Sequence, residues 1–383
     1  MDFSLSEEQQ LIRQTAREFC AREIVPHARE WDRTERMDVA IVEKLAHIGF
    51  LGCALPEEYG GMGLDTISYC LVMEELGRAD SSVRGIVSVN NGLAGKTIAK
   101  WGTQEQKREW LPRMCNGEAL GCYGLTEPGS GSDPGSLATR ADREGDHWVL
   151  NGSKMFITLG SWAGLCLVFA RTGGDGPRGI TCFLVPTDTE GFSATKIDGK
   201  LGLRAQDTAE LFLDGVRVPD SARLGDEGAG FRVAMSALDD GRISLAAGSV
   251  GIAQGCLDAC LAYAAGRTQF GRPIAAFQLV QELIADVAVE TEAARLLAWR
   301  AAFLADAGQP YTLAASQAKY YASEVAVRAA NAAVQVHGGY GYVDEYPVQK
   351  YLRDARVSTL YEGTSQIQKL LIGRALTCEN ACA

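Results

Sequence analysis

Positive charge is scarce in this chain. Its 37 lysines and arginines stand against 48 aspartates and glutamates, for a net charge of −11 over 383 residues. A nucleic-acid binder needs a basic face to neutralise phosphates, so that class is excluded, although a few local arginines can still hold a small anion. Histidine is scarcer still: there are four, and none sits in a His-Glu-x-x-His pattern. The eleven cysteines are odd in number and contain no Cys-x-x-Cys, the nearest pairs being Cys256/Cys260 and Cys378/Cys382. That spacing argues against a disulfide framework and against a metal site, and reads as reduced thiols filling core space. No basic n-region or arginine-rich presequence opens the chain, because Met1-Asp2-Phe3-Ser4-Leu5-Ser6 runs straight into a helical pattern. No uninterrupted apolar run reaches membrane-spanning length. The expectation is a cytoplasmic protein that binds neither nucleic acid, membrane nor metal; a mature mitochondrial matrix form fits the same features.

What is present is an ordinary globular composition, 46% hydrophobic and 22% charged, with length for two or three domains. Residues 1–120 read as helices. Ser6 with Gln9 forms a capping box ahead of Ile12, Ala16, Phe19 and Cys20 on one face. Asp38 is placed to cap the next helix, Leu55-Pro56 breaks the pattern, and Thr66 starts another helix. Over 121–230 the period becomes two. Trp148–Ile157 reads as a hairpin around Asn151-Gly152, and Glu210–Val218 as a second around Asp214-Gly215. Cys166–Ala170 and Ile180–Val185 are further strands, and Leu224–Gly230 is a linker. Residues 231–383 are alanine-rich, with long helices expected over 231–265, 276–307, 312–337 and 347–375. The fold class is therefore mostly α with a central β domain.

Several tempting motifs fail. Gly92-Leu93-Ala94-Gly95-Lys96-Thr97 resembles the end of a phosphate loop, but the required earlier glycine is Asn90 and no strand precedes it. No Gly-x-Ser-x-Gly elbow exists, so a serine hydrolase has no anchor. Gly129-Ser130-Gly131 lacks the strand-turn-helix setting of a dinucleotide fingerprint. Read instead as a loop, Leu125–Asp133 can let backbone N–H groups approach an anion at Gly129 and Gly131, with hydroxyl donors from Thr126, Ser130 and Ser132. Near the far end, Tyr361-Glu362-Gly363-Thr364-Ser365-Gln366-Ile367-Gln368 places a carboxylate on a turn, and Ser365 with Gln368 fits a capping box for the helix that follows.

These stretches share their order and spacing with a known family. Tyr123–Asp133, Arg267-Thr268-Gln269-Phe270-Gly271, Gln335-Val336-His337-Gly338-Gly339-Tyr340-Gly341 and Tyr361–Gln368 resemble the motifs of the acyl-CoA dehydrogenase flavoproteins. The resemblance spans essentially the whole chain and is nearest to short-chain and short-branched-chain members. It implies an α-bundle, a β-barrel and a second, four-helix bundle in that order, with FAD between the β domain and the C-terminal helices.

Further roles follow from the resemblance alone. Tyr123, Leu125, Thr126, Gly131 and Ser132 would line the flavin and its diphosphate, with Ser132 also meeting the acyl-CoA. Phe156, Ile157 and Thr158 would flank the isoalloxazine, Phe156 standing where the family often has tryptophan. Arg267, Gln269, Phe270 and Gln278, with Gln335, Val336, Gly338 and Gly339, would reach a neighbouring subunit's flavin. Thr364 and Gln366 would lie near its adenosine diphosphate part. Leu238, Asp239, Arg242, Tyr361, Gly363 and Arg374 would contact the thioester substrate, and Ser88-Val89-Asn90-Asn91 would help to close its pocket. The implied reaction is α,β-dehydrogenation of a short acyl-CoA to the trans-2-enoyl-CoA. Glu362 takes the α-proton, the β-hydride goes to flavin N5, and electrons pass to electron-transferring flavoprotein from a homotetramer, a dimer of dimers. Some members carry the base just ahead of the arginine matched by Arg242; that position is Gly241, which cannot act. Competing readings are a medium- or long-chain dehydrogenase, an oxidase, for which the chain is short, and a non-catalytic acyl-CoA or carrier-binding scaffold.

Overall fold

A computed structural model describes residues 3–379, so Cys382 and the last residues of the 231–383 segment lie outside the described residues. The chain runs helical first: α1 (Glu7–Glu23), α2 (Val25–Thr34), α3 (Ala40–His47), α4 (Thr66–Ala79), α5 (Ser81–Val87), α6 (Lys96–Trp101) and α7 (Gln104–Cys115). A π-helical stretch, Ser88–Gly95, joins α5 to α6. The Ser6–Gln9 capping box forms as the sequence predicts, and Ala16, Phe19 and Cys20 are buried. Asp38 acts one residue early, accepting from the Ala40 N–H at 3.0 Å while Val39 occupies the cap position of α3.

Strands follow: β1 (Gly121–Gly124), β2 (Arg140–Glu144), β3 (His147–Thr158), β4 (Leu165–Arg171), β5 (Ile180–Pro186), β6 (Phe192–Lys196), β7 (Thr208–Pro219) and β8 (Arg223–Leu224). The sheet runs β6-β7-β3-β2-β4-β5-β8, with β1 pairing parallel to β4. A single pair, Arg140 opposite Arg171, links β2 to β4. The two expected hairpins do not exist. β3 and β7 are unbroken 12-residue strands paired with each other, and both glycine dipeptides meet in one irregularity of that ladder, between Leu150/Val216 and Gly152/Leu213. Asp214 and Gly215 there oppose the single residue Asn151. Gly215 has φ 65°, and its N–H donates to Asn151 Oδ1 at 2.8 Å. A glycine in the left-handed region suits a bulge as well as a turn. Gly152 is needed for a second reason, since a Cβ there would collide with Thr139.

The chain closes with α8 (Gly230–Gly266), a small hairpin of β9 (Thr268–Gln269) and β10 (Arg272–Pro273), then α9 (Gln278–Asp306), α10 (Thr312–His337), α11 (Val348–Ser358) and α12 (Ser365–Thr377). The helical stretch expected over 347–375 is two helices, broken at the turn that carries Glu362, where the sequence places a turn ahead of a new helix. α8 is long and apolar enough to cross a membrane, but most of that stretch is buried. It reads as a core helix, buried over its central run Gly241–Ala253. Its seam with α4 is made of glycines: a Cβ on Gly77 would strike the Gly248 carbonyl, and one on Gly251 the Glu74 carbonyl. The ten described cysteines are free thiols, nine of them buried.

That seam predicts the effect of one methyl group. Gly251→Ala forces a methyl against the Glu74 backbone carbonyl, which cannot be relieved by a rotamer change, and should destabilise by about 1–3 kcal/mol. Gly373→Ala on α12 meets no atom within 4 Å, and should be neutral to about 1 kcal/mol stabilising. Denaturation midpoints check the pair; equal midpoints for the two variants would contradict the close-packed seam.

Candidate active site

Glu362 sits in the break between α11 and α12 with φ 53°, followed by Gly363 at φ 89°. Two consecutive left-handed residues turn the chain sharply, and the turn is pinned from both sides. Gln368 Nε2 donates to the carbonyls of Glu362 and Gly363 at 3.2 Å each, and Lys319 Nζ on α10 donates to the Gly363 carbonyl at 2.7 Å. The cap of α12 is Thr364, whose side chain accepts from the Ile367 N–H at 3.2 Å. This displaces the predicted Ser365–Gln368 box. Ser365 instead donates to Glu324 at 2.6 Å, and Gln368 is free to hold the turn.

Glu362 is half-buried, and its Oε2 is buried and accepts no hydrogen bond. It rests against Gly241 on α8, where a Cβ would overlap Oε2 and crowd Leu93 of the π-helical stretch. Gly241 therefore does more than lack a base: its missing side chain makes the seat for the Glu362 carboxylate. Burial pushes the Glu362 carboxyl above the usual carboxylate range. Arg84, Lys319 and Arg242 pull it down, in that order, without cancelling the burial. Lys319 is itself pulled down to about 8 by burial, against the attraction of Glu362.

Arg242 is buried in the second quarter of α8 and pairs with Asp239 at 2.6 Å. Asp239 also accepts from Thr312 at 2.8 Å, so the pair is tied to α10. Leu238 is half-buried beside them. Tyr361 accepts from Arg84 Nη2 at 2.6 Å. Arg374 stands exposed on α12, outside this group. Asn90 and Asn91, expected near the pocket floor, are spent on backbone. Asn90 serves Leu51, Met114 and Gly121, and Asn91 serves Phe50, Val87 and Ala54. Ser88 pairs with Ser244 at 2.9 Å.

A second group lies on the sheet. The loop after β1 carries Leu125, buried, and Thr126, half-buried, then emerges at Gly131 and Ser132, which are exposed. Gly129 and Gly131 have no atom within 4 Å of where a Cβ would stand, which is open space for a ligand's approach. Ser130 is not available as a donor there, because its hydroxyl is used on the Asp133 carbonyl at 2.7 Å. The loop is anchored by the fully buried Lys154, which donates to Glu127 at 2.7 Å and to the Phe169 carbonyl at 2.6 Å. Tyr123 is buried, its hydroxyl on the Ala234 carbonyl at 3.3 Å. Phe156 lies in a bulge of β3 with φ 61° and is 66% exposed. Ile157 beside it is buried, and Thr158 accepts from Gln206 Nε2 at 3.1 Å. An exposed phenylalanine in a strained backbone is unexplained by core packing.

A third group surrounds a cavity of about 560 Å³ lined by Arg267, Gln269, Gln335, Val336, Gly338 and Gly339 among others. Arg267 lies 5.5 Å from the Tyr340 ring centroid. Phe270 caps the β9–β10 hairpin with φ 51° and 92% exposure, and Gln278 is exposed at the start of α9. Thr364 caps α12 and Gln366 lies on its first turn.

Sequence reasoning missed Arg84, Lys319 and Gln206, and gave Gln368 a capping role in place of its hold on the turn. Two signals were present. Arg84 is the sole charge between Asp80 and Lys96, and Lys319 falls on the alanine stripe of Ala315, Ala318 and Ala322 that α10 buries.

Comparison with known proteins follows from this geometry. Family models described as the acyl-CoA dehydrogenase N-terminal, middle and C-terminal domains match residues 6–118, 122–216 and 228–377. The short-chain specific acyl-CoA dehydrogenase of Clostridium acetobutylicum is 44% identical over 373 residues, 97% of this chain and 98% of that protein. Butyryl-CoA dehydrogenase from Megasphaera elsdenii superposes with a TM-score of 0.96 at 40% identity, over 98% of this chain and 100% of that one. A glutaryl-CoA dehydrogenase from Mycobacterium smegmatis in complex with FADH2 gives 0.95 at 37% identity, over 99% and 97%. With matching models along nearly its whole length and relatives of the same extent, this chain belongs to the acyl-CoA dehydrogenase family and is an oxidoreductase acting on CH–CH bonds.

Proposed function

We propose that this enzyme carries out FAD-dependent α,β-dehydrogenation of a short acyl-CoA, with Glu362 as the base that removes the α-proton. The observation that carries the reading is the buried Glu362 Oε2 without a hydrogen bond. A carboxylate that accepts no hydrogen bond is left more basic, and its raised pKa brings it toward the pH at which it must accept and release a proton. The short acyl group is supported by the names of the relatives, short-chain specific and butyryl-CoA dehydrogenases.

FAD fits the residues present. Phe156 offers an aromatic face that the protein itself leaves uncovered, and the open approach at Gly129 and Gly131 suits a diphosphate. Thr126, Gly131, Ser132, Phe156, Ile157 and Thr158 would hold the flavin end. Bound there, FAD would supply the hydride acceptor. The chain's part is positional and electrostatic: the pinned turn aims Glu362, and the Glu362 N–H stands in the same turn as a donor for the thioester oxygen as charge develops on it. Gly241 keeps the carboxylate seat open, and Asp239 holds Arg242 beside it. Arg267, Gln269, Phe270, Gln278, Gln335, Val336, Gly338, Gly339, Thr364 and Gln366 would serve a neighbouring subunit's cofactor, which makes assembly part of the site. Segments 1–120, 121–230 and 231–383 are the proposed domains, and electron-transferring flavoprotein is the proposed acceptor. A non-catalytic scaffold has no use for a carboxylate kept buried and unpartnered.

Glu362→Gln keeps size and removes basicity. Turnover should fall by about 10²–10⁴-fold while the protein stays yellow, and retention of a tenth or more would refute the base. The pH dependence has a fixed sign. Glu362 works ionised, so turnover rises with pH through its raised pKa and is lost below it. The charged and titratable groups facing it are Arg84, Lys319, Tyr361, Tyr123 and the Arg242–Asp239 pair. Lys319→Met removes a cation that favours the ionised form, so the acidic limb of the kcat profile should move up by about 1 pH unit. A limb that stays put or moves down would show that Lys319 does not act on the base.

A further inference from the structure

The mechanism just described uses Arg84 only through its field on Glu362. The arginine is 3% exposed, lies on α5 and is the sole charge between Asp80 and Lys96. Nη2 is spent on the Tyr361 hydroxyl at 2.6 Å, but Nη1 is buried with no acceptor. No salt bridge holds the side chain: among the described residues its charge finds no carboxylate within ion-pair distance. Its hydrogen bond goes to a neutral phenol. The chain also makes room for it. A Cβ on Gly248 of α8 would overlap Arg84 Cδ, so the arginine crosses α8 where a side chain is missing and delivers its guanidinium to the residue next to Glu362. A buried guanidinium with an empty donor is expensive to keep unless something else completes it. Glu362 is the nearby carboxylate, yet it makes no hydrogen bond to Arg84, and it becomes neutral once it has taken the α-proton.

We propose that Arg84 recognises a carboxylate at the far end of the substrate's acyl chain, so that the enzyme's preferred substrate is the CoA thioester of a short dicarboxylic acid. The inference rests on the dehydrogenation reading and names its substrate class. Chemistry favours this ligand over a plain alkyl tail. An alkyl tail would pack apolar carbon against a charged donor that water can no longer reach, leaving Nη1 unpaired. A terminal carboxylate accepts from Nη1 and neutralises the cation at the same time, and guanidinium–carboxylate pairs are the strong, geometrically selective kind. A site built around such a donor rejects analogues that cannot pair with it far more sharply than an apolar pocket rejects a methylene. Gln206 adds to the pattern. Its Oε1 is also buried without a partner and lies against Gly85, the next residue on α5, while its Nε2 reaches Thr158. The unfilled polar atoms thus stand on α5 and on the segment just ahead of β7 that packs against it.

The test uses the flavin-loaded enzyme under anaerobic conditions with succinyl-, glutaryl- and adipyl-CoA, and with butyryl- and valeryl-CoA as neutral-tail controls, reading the rate of flavin bleaching. One of the diacid thioesters should exceed both controls in kcat/KM by about a hundredfold. Arg84→Gln should collapse that preference, and Arg84→Lys, which keeps charge but loses the fork, should restore only part of it. A wild-type enzyme that bleaches faster with valeryl-CoA than with every diacid thioester overturns the proposal and leaves the dehydrogenase reading standing. So does an Arg84→Gln variant that slows both classes alike, which would make Arg84 a support for Tyr361. No bleaching with any of the five brings down the dehydrogenase reading, and the inference with it.

Discussion

Everything around the active site answers to one constraint: one oxygen of the Glu362 carboxylate, Oε2, is withheld from water and given no hydrogen bond. A buried ion costs several kcal/mol unless it is compensated. Direct pairing would compensate it fully, but it would also make the carboxylate a poor base. The fold takes an intermediate course. Three cations approach from separate helices, Arg84 from α5, Arg242 from α8 and Lys319 from α10, and each has its own hydrogen-bond anchor elsewhere. Their combined field limits the desolvation without cancelling it. The same arrangement explains why the helices must meet so closely. Gly241, Gly248 and Gly251 on α8 are positions where a methyl would strike Glu362, Arg84 or the α4 backbone.

The sheet side obeys a related rule. Lys154 is fully buried and binds Glu127, while the N–H groups of Ala138 and Thr139 donate to the same carboxylate. Burial pushes the Glu127 carboxyl up, but Lys154 and these donors outweigh it and hold it below the usual range. This pair is satisfied and rigid, where Glu362 is unsatisfied and poised. The loop it anchors presents Gly131 and Ser132 to solvent, and Phe156 projects from the adjacent bulge of β3.

Local signals were legible where the local chain decides the outcome. The Ser6–Gln9 cap and the change from helical to alternating periodicity near residue 121 are of this kind. The Asn151-Gly152 and Asp214-Gly215 dipeptides were misread because a left-handed glycine serves a bulge and a turn equally, and only the pairing of β3 with β7 distinguishes them. Asn90 and Asn91 looked like pocket polar groups; their amides are consumed by backbone from segments distant in sequence. The Glu362 turn could be read from its own residues, but its environment could not. Arg84 and Lys319 come from 278 and 43 residues away, and they matter through proximity that only the packing of α5, α8 and α10 creates.

The most direct measurement of the account is the titration of Glu362 itself in the folded, flavin-loaded protein, followed by the carboxyl stretch in infrared difference spectra between wild type and Glu362→Gln. The account requires a protonation midpoint above the ordinary glutamate value, as burial outweighs the three cations. A midpoint at or below that value would mean that the cations win, that Glu362 is a structural counter-ion, and that the proton-abstracting role must be placed elsewhere.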